Sequence, residues 1–297
     1  MVEEVLKQYI AEKLFNKSKN TIDTYARSLR QFLTWVEDSG LEIASIKENK
    51  DGLTRLEMQD FVRYLEKQKK KSPQTVNKDW AAIVSFMEWK GLKELTEDIS
   101  LPKFEKYTKT APGFLEDAII KKIKREEYRK AERTGSWRDA AIIEFLVFFG
   151  IRIEELVSLD LSSIELSDRK GNLHIVGKRN KHRDIPFPKA EDNRSLREIV
   201  SKYLSERLRM QTDEEALFIS NRGNRLSKRA AQLIVEKHNV NCHAFRHTYI
   251  TKLVRQGVDI PLIMSLTGHS SAEMIARYSK PTEENRMDAQ GKVNFDV

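Results

Sequence analysis

A cluster of side chains that could hold either a metal ion or an anion lies near the end of the 297-residue chain. The sequence HAFRH places His243, Arg246 and His247 within five residues, directly after Cys242. His243 and His247 are four residues apart, the spacing at which helical histidines bind zinc. An alanine follows His243, so the glutamate of the H-E-x-x-H motif is missing, and no later carboxylate has obvious ligand spacing. We therefore expect no metal.

The same stretch can instead bind an anion. His243 and Arg246, three residues apart on one helical face, form a pair of donors suited to a phosphate oxygen. The alternative is an ordinary helix N-terminus with a solvated arginine. In the anion interpretation His247 is a bystander that packs or hydrogen-bonds beneath the site, and Cys242 has no role.

A second candidate is the arginine in GIRIEEL. Arg152 follows Gly150 and lies between Ile151 and Ile153, and an arginine flanked by apolar residues needs a partner. Glu155, three residues later, lies on the same face and could orient the guanidinium. The alternative is a structural ion pair.

A third candidate is the basic run GNLHIVGKRNKHRDIP. Residues 169–183 contain six lysines or arginines and no acid, and two short strands would form a basic hairpin. Lys178 and Arg179 would project at its turn. Such a run is often only a solvated face, but beside an anion site it favours a hairpin that enters a nucleic-acid groove.

The fourth candidate is the tyrosine in TGHSSAEMIARY. His269 follows Gly268 at a helix boundary, and Tyr278 lies nine residues later. A tyrosine on a short terminal helix can move, and tyrosine can act as a nucleophile in phosphoryl transfer. The alternative is a core tyrosine that packs with Met274 and Ile275.

The four stretches occur in the order GIRIEEL, GKRNKHRDIP, HAFRHTY and TGHSSAEMIARY. In this order they resemble the tyrosine recombinase (phage integrase) family, particularly its Xer-like members. The resemblance covers most of the chain, because SKNTIDTYARSLRQFL and SPQTVNKDWAAIVSFMEWKG are similar to the family's helical core-binding domain. TGH stands where LGH is more usual, a difference that should not alter the chemistry.

The resemblance implies a role for each site residue. Arg152 and Arg246 would clamp the scissile phosphate, and Tyr278 would attack it to form a 3′-phosphotyrosyl link. Lys178 would protonate the 5′-hydroxyl leaving group. The supporting residues would be the acid beside the first arginine, a histidine that assists proton transfer and a second histidine donor: Glu155, His243 and His269. Tyr249, the competing nucleophile, lacks the terminal position.

Composition and charge agree with a nucleic-acid partner. The net charge is +8 and the pI is near 9.3, which favours an anionic partner. One cysteine permits no internal disulfide, which is typical of a reducing compartment. The longest apolar stretch, AAIIEFLVFFG, is too short to span a bilayer, and no P-loop motif for ATP is present. We expect a cytoplasmic, nucleoid-associated protein without a cofactor.

The elements that must position these residues are mainly helices. Apolar residues spaced three or four apart predict a helical domain of four helices over residues 1–97, and residues 98–113 are expected to be a linker. Residues 114–297 should form a mostly helical catalytic domain with a small antiparallel sheet from SSIELSD, GNLHIVG and HRDIPFP. EALFIS is expected to be a strand or extended segment.

The resemblance also implies double-stranded DNA with a two-fold-related site as the substrate. It further implies a tetramer on synapsed DNA, with the C-terminal tail (VNFDV at its end) docking on a neighbouring subunit. The alternatives are a DNA-binding regulatory protein without cleavage and a type IB topoisomerase-like relaxing enzyme. The expected DNA-contacting residues are Lys17, Lys19, Lys70, Lys71, Gln74, Asn77, Lys78, Arg179, Lys181, Arg222, Arg225, Lys228 and Arg229.

Overall fold

The chain divides into two compact units, Met1–Lys106 and Tyr107–Val297. The computed structural model describes residues 2–41, 53–103, 113–167, 170–177, 181–189, 194–276 and 278. The division falls inside the predicted linker 98–113, part of which lies outside the described residues. Within the described ranges no helix is both long and apolar enough to cross a membrane.

The first unit consists of helices whose ends follow from local sequence signals. They are α1 (Val2–Lys13), α2 (Lys19–Asp38), α3 (Arg55–Arg63) and α4 (Pro73–Lys90). The α2 helix begins where the Ser18 hydroxyl accepts the backbone N–H of Thr21, and α4 begins with the same arrangement between Ser72 and Thr75. After α3 the chain continues as a π-helical turn over Tyr64–Gln68, so the helix predicted there ends in a wider turn.

Aromatic side chains fill the core of the first unit. Phe32 and Phe61 meet edge to face with ring centroids 5.0 Å apart, which joins α2 to α3. Tyr9 and Phe86 make the same type of contact at 5.5 Å, which joins α1 to α4. All four side chains are fully buried, so these helices form a hydrophobic core of their own.

The second unit is built around one apolar helix, α6. Its helices are α5 (Asp117–Thr134), α6 (Arg138–Phe149), α7 (Ile153–Val157), α8 (Arg194–Arg209), α9 (Lys228–Glu236), α10 (Cys242–Arg255), α11 (Ile260–Thr267) and α12 (Glu273–Ala276). Since nine of the twelve residues of α6 are apolar and they lie all around the helix, it has to be surrounded, and α5, α8 and α10 pack against it. Phe145 and Phe149 of α6 are fully buried.

The second unit also contains the predicted antiparallel sheet. Its strands β1 (Ile164–Leu166), β2 (Gly171–Val176) and β3 (His182–Pro186) lie in the order β1-β2-β3. Ile164 pairs with Leu173, which pairs with Ile185. The mainly α fold with a small antiparallel sheet is therefore confirmed. EALFIS contributes two isolated bridges, at Ala216 and Ile219, and no ladder.

Candidate active site

The junction between α6 and α7 places the first predicted arginine. Gly150 ends α6 with a φ of +54°, and Arg152 lies directly before α7. The backbone N–H of Arg152 donates to Glu155 Oε2 over 2.8 Å, and its Nη1 donates to Glu155 Oε1 over 2.9 Å. The same guanidinium faces the carbonyl oxygens of Thr267 and Gly268 at 3.5 and 3.3 Å. The predicted pairing of Arg152 with Glu155 is present.

Arg246, on α10, is the most buried arginine of this cluster, with 5% of its surface exposed. Its Nη1 donates to the Gly150 carbonyl over 2.8 Å, and its Nη2 donates to the Thr267 carbonyl over 2.6 Å. Gly150 ends α6 and Thr267 ends α11, so both carbonyls lie at the negative end of a helix dipole. These carbonyls orient the guanidinium without neutralising it.

His269 completes this group. Its ring nitrogens lie 3.3 and 3.4 Å from Arg246 Nη2, and its Nδ1 lies 2.7 Å from the Thr267 hydroxyl. Arg152, Arg246 and His269 therefore meet where α11 ends, although they come from three separate stretches of sequence.

Arg183, on β3, is a member of this cluster that the sequence analysis missed. Its Nη1 and Nη2 donate to the two carboxylate oxygens of Glu155 at 3.0 and 2.7 Å, and its Nε donates to the Leu266 carbonyl at 3.1 Å. The basic run KRNKHRD led us to treat it as part of a nucleic-acid-binding hairpin. The alternation of side chains along a strand could have identified it. Arg183 lies two residues before the buried Ile185 and therefore on the same, inward face of β3.

The cluster carries more positive than negative charge. Three arginines, Arg152, Arg183 and Arg246, surround the single carboxylate of Glu155. Burial, together with the nearby charge of Arg152, lowers the pKa of Arg246 to about 10. Burial opposes ionisation of Glu155, but the hydrogen bonds and charges of Arg183 and Arg152 hold the pKa of Glu155 below its usual value. An excess of positive charge of this kind can stabilise a bound anion.

Tyr278, the predicted nucleophile, is 6% exposed and packs against Ile250, Ile263 and Ile275. The alternative interpretation of this tyrosine as a core residue is right for its burial and for Ile275, whereas Met274 is not a member of the cluster. Its hydroxyl also lies 2.5 Å from Nδ1 of His247. His247, which we interpreted as a bystander, is therefore in direct contact with the hydroxyl to which the resemblance assigns the attack.

Several predicted residues lie elsewhere or outside the described residues. His243 is exposed, one turn before His247 on α10, with the two ring centroids 6.4 Å apart. Lys178, Arg179 and the tail from residue 279 onward lie outside the described residues, so their roles stay predictions. Among the described residues no group of three or more histidine, cysteine or acidic side chains could hold a metal ion.

The predicted DNA-contacting residues fall into two groups. The first group has exposed side chains and consists of Lys17, Lys19, Lys70, Gln74, Lys78, Lys181 and Arg222. The second group has partners inside the protein: Lys71 with Asp79, Asn77 with the Pro102 carbonyl, Arg225 with Asp160, Lys228 with Glu154, and Arg229 with Glu236. Within the second group Arg225, Lys228 and Arg229 are exposed as well. The second group would have to exchange these partners for phosphates, so contact with DNA stays a prediction.

Substitution of Gly150 is expected to have a large effect on the free energy of unfolding. An alanine Cβ there would lie 2.4 Å from Cδ1 and 2.9 Å from Cβ of Tyr249, at a positive φ. We expect Gly150→Ala to lower the free energy of unfolding by at least about 2 kcal/mol in chemical denaturation, because strain and overpacking add. Gly135, which ends α5 at φ +73° with nothing within 4 Å, is the matched control. Gly135→Ala should cost only about 1 kcal/mol. Equal losses would contradict the steric argument.

Substitution of Arg183 is expected to make the protein unfold at a higher pH during acid titration. A carboxylate with a lowered pKa stabilises the fold above its unfolded pKa, and that contribution is lost as the pH falls through the folded pKa. We expect Arg183→Gln to lower the free energy of unfolding by about 3 kcal/mol, because Arg152 would then be the one cation paired with the buried Glu155 among the residues that the structure describes. Unfolding followed by circular dichroism during acid titration should begin at a higher pH.

The control for Arg183 is an exposed arginine with the same kind of bidentate pair. Arg30 donates to both carboxylate oxygens of Glu3 at 2.6 and 3.2 Å, but both side chains are at least half exposed. Arg30→Gln should leave the acid titration nearly unchanged. If the Arg183→Gln titration matched that of Arg30→Gln, the buried pair would have no special role.

Comparison with family models gives two matches that together cover most of the chain. Residues 117–285 match the model of the phage integrase family, and residues 6–97 match the model of the phage integrase N-terminal SAM-like domain.

Among curated proteins, a tyrosine recombinase XerC of Pelobacter propionicus is 29% identical over 294 residues, which is 94% of this chain and 90% of that protein. A tyrosine recombinase XerC of Corynebacterium glutamicum is 33% identical over 164 residues. That alignment covers 53% of this chain and spans about half of the relative, 51%.

Among solved structures, the XerH site-specific recombinase bound to difH substrate, in a pre-cleavage complex, is similar with a TM-score of 0.70 at 19% identity. The match covers 98% of this chain and 83% of that chain. A lambda integrase tetramer bound to a Holliday junction is similar with a TM-score of 0.66 at 17% identity, over 95% of this chain and 78% of that chain. At these identities the likeness shows the shared fold.

Proposed function

The chain belongs to the phage integrase family, and from this premise we propose that it is a site-specific DNA recombinase that acts through a 3′-phosphotyrosyl intermediate. The observation that carries the proposal is the convergence of Arg152, Arg246 and His269 at the end of α11. The hydroxyl of Tyr278 lies 2.5 Å from Nδ1 of His247, the residue that follows Arg246 on α10. Relatives named tyrosine recombinases, one of them similar over nearly the whole chain, support the same reaction.

The proposed chemistry uses only side chains of this protein. The hydroxyl oxygen of Tyr278 bonds to phosphorus while the bond from phosphorus to the 5′ oxygen breaks. Arg152 and Arg246 stabilise the charge on the non-bridging oxygens. The leaving 5′ oxygen takes a proton from Lys178, the role that the family resemblance implies for this lysine. One phosphodiester replaces another, so the bond energy is conserved and a 5′-hydroxyl of a second strand can reseal it.

The proposed partners are duplex DNA and further copies of this chain. A site with two-fold-related halves would bind two copies, and two such sites would bring four copies together on a Holliday junction. The likeness to a lambda integrase tetramer bound to such a junction supports this assembly. We include in the proposal the docking of the C-terminal tail on a neighbouring copy and a location with the nucleoid.

A covalent-capture experiment tests the proposed function. Duplexes that bind the protein are selected from a random-sequence library, nicks are introduced at successive positions, and denaturing gels detect DNA that stays attached to protein. We expect an adduct whose peptide map places the nucleotide on Tyr278. Binding without any adduct would favour a regulatory DNA-binding protein. An adduct with plasmid relaxation but no joining of two duplexes would favour a topoisomerase-like enzyme.

A further inference from the structure

His247 makes a contact that the proposed roles of the other residues do not explain. Its Nδ1 lies 2.5 Å from the hydroxyl oxygen of Tyr278, and the two ring centroids are 5.7 Å apart. With the proton of the neutral imidazole on Nε2, Nδ1 is an acceptor, and in that tautomer the Tyr278 hydroxyl donates to it. The hydroxyl is the group that has to lose a proton when it attacks phosphorus.

We propose that His247 is the proton acceptor for the nucleophile, a catalytic residue in direct contact with the reacting oxygen; this inference rests on the proposed function. As the Tyr278 oxygen bonds to phosphorus, its proton passes to Nδ1 of His247 and the 5′ oxygen leaves. In rejoining, a 5′-hydroxyl gives its proton back to Lys178 as its oxygen bonds to phosphorus. The bond from phosphorus to the tyrosine oxygen breaks, and protonated His247 returns the proton to that oxygen. Atoms and charge balance without any further reactant.

Two features of the structure support this assignment. Tyr278 packs in an apolar cluster with Ile250, Ile263 and Ile275, and this packing holds its hydroxyl beside His247. His247 lies on α10, one residue after the buried Arg246. One helix therefore presents both a donor to the phosphate and an acceptor for the proton, and packing fixes their relative positions.

The charged and titratable groups near the pair come from several elements. On α10 they are His243, one turn earlier, and Arg246. His269, after α11, contacts Arg246. Farther out, the charges of Arg152 and Glu155 act on Arg246. A measured pH profile has to be compared with those of variants at His247, because any of these groups could contribute to the wild-type profile.

Two replacements separate proton acceptance from positioning. His247→Ala removes the imidazole, whereas the amide oxygen of His247→Asn can still accept a hydrogen bond from the Tyr278 hydroxyl but cannot take its proton. On the selected nicked duplex we expect both variants to bind DNA normally. Both should form the adduct about 100- to 1,000-fold more slowly at pH 7 in single turnover. Their rates should rise with pH as the tyrosine ionises, with a steeper dependence than that of the protein with His247 intact.

A fluorinated tyrosine at position 278 supplies the decisive readout. Fluorination lowers the pKa of the hydroxyl, so it should accelerate both His247 variants much more than the parent protein. A purely structural role for His247 predicts no such rescue. Lys252→Gln, an exposed change on the same helix, is the control for effects on α10. Thermal melting confirms that each variant is folded.

The outcomes distinguish this inference from the proposed function. If the parent protein forms no adduct at Tyr278, the proposed function fails and this inference fails with it. If the parent forms the adduct and His247→Asn is equally fast, or fluorination does not rescue His247→Ala, only the role of His247 as proton acceptor is wrong.

Discussion

Tyr278→Phe is expected to abolish the covalent protein–DNA adduct while leaving DNA binding intact. The change removes the single oxygen that would attack phosphorus, and nothing else in the side chain. The ring keeps its apolar neighbours Ile250, Ile263 and Ile275. The change removes the hydrogen bond to His247, and a neutral hydrogen bond contributes about 1 kcal/mol to the free energy of unfolding. Denaturing gels and a binding titration on the same nicked duplex measure the two effects.

Tyr249 is the matched control for the nucleophile assignment. It lies on the same helix as Arg246, and its ring packs over the backbone of Gly150. Tyr249→Phe keeps that ring and removes only a hydroxyl, so we expect the adduct to form at close to the normal rate. If Tyr278→Phe still formed the adduct and Tyr249→Phe did not, the nucleophile would be Tyr249.

Arg246→Met is expected to lower the rate of cleavage by at least about 100-fold, the loss seen when a preorganised donor to a developing charge is removed. The free energy of unfolding should change little, because the substitution has two opposing effects on it. A cation with a lowered pKa costs folding free energy at neutral pH, and that cost disappears only as the pH rises through the folded pKa, here about 10. Methionine removes this cost, of the order of 3 kcal/mol.

Removal of Arg246 also removes the hydrogen bonds that it donates to the carbonyls of Gly150 and Thr267. This loss opposes the gain in the free energy of unfolding. Gly150 loses its 2.8 Å partner, whereas Thr267 keeps Arg152 at 3.5 Å. Unpaired buried carbonyls cost about 1 to 3 kcal/mol each. We therefore expect a net change in the free energy of unfolding within about 2 kcal/mol of zero, measured by chemical denaturation.

Arg207 offers a matched control outside the cluster. It is 2% exposed, and its guanidinium donates to the carbonyls of Ala216, at 2.9 and 3.0 Å, and of Glu214. Arg207→Met should weaken the fold and leave the cleavage rate per folded molecule unchanged. An Arg246→Met variant that cleaved at the normal rate would contradict the role of Arg246 as a phosphate clamp.

The helices and their ends could be predicted from sequence because their signals are local. Ser18 and Ser72, residues of a type favoured at helix starts, cap α2 and α4, and AAIIEFLVFFG forms the buried helix α6. The conformation of EALFIS could not be predicted with the same certainty, because a strand forms only where another strand pairs with it. In the structure this segment makes isolated bridges. The resemblance identified Arg152, Arg246, His269 and Tyr278 as one set, but not how they meet.

By itself the sequence determined the fold class, the family and the kind of chemistry. Only the tertiary structure decided which side chains touch. Arg183 meets Glu155 across 28 residues, and His247 meets Tyr278 across 31. Helix periods and caps depend on neighbours within about four residues. The partner of a buried charge or hydroxyl depends on how whole elements pack. That is why a residue interpreted as a bystander and an arginine assigned to a surface hairpin became members of the site.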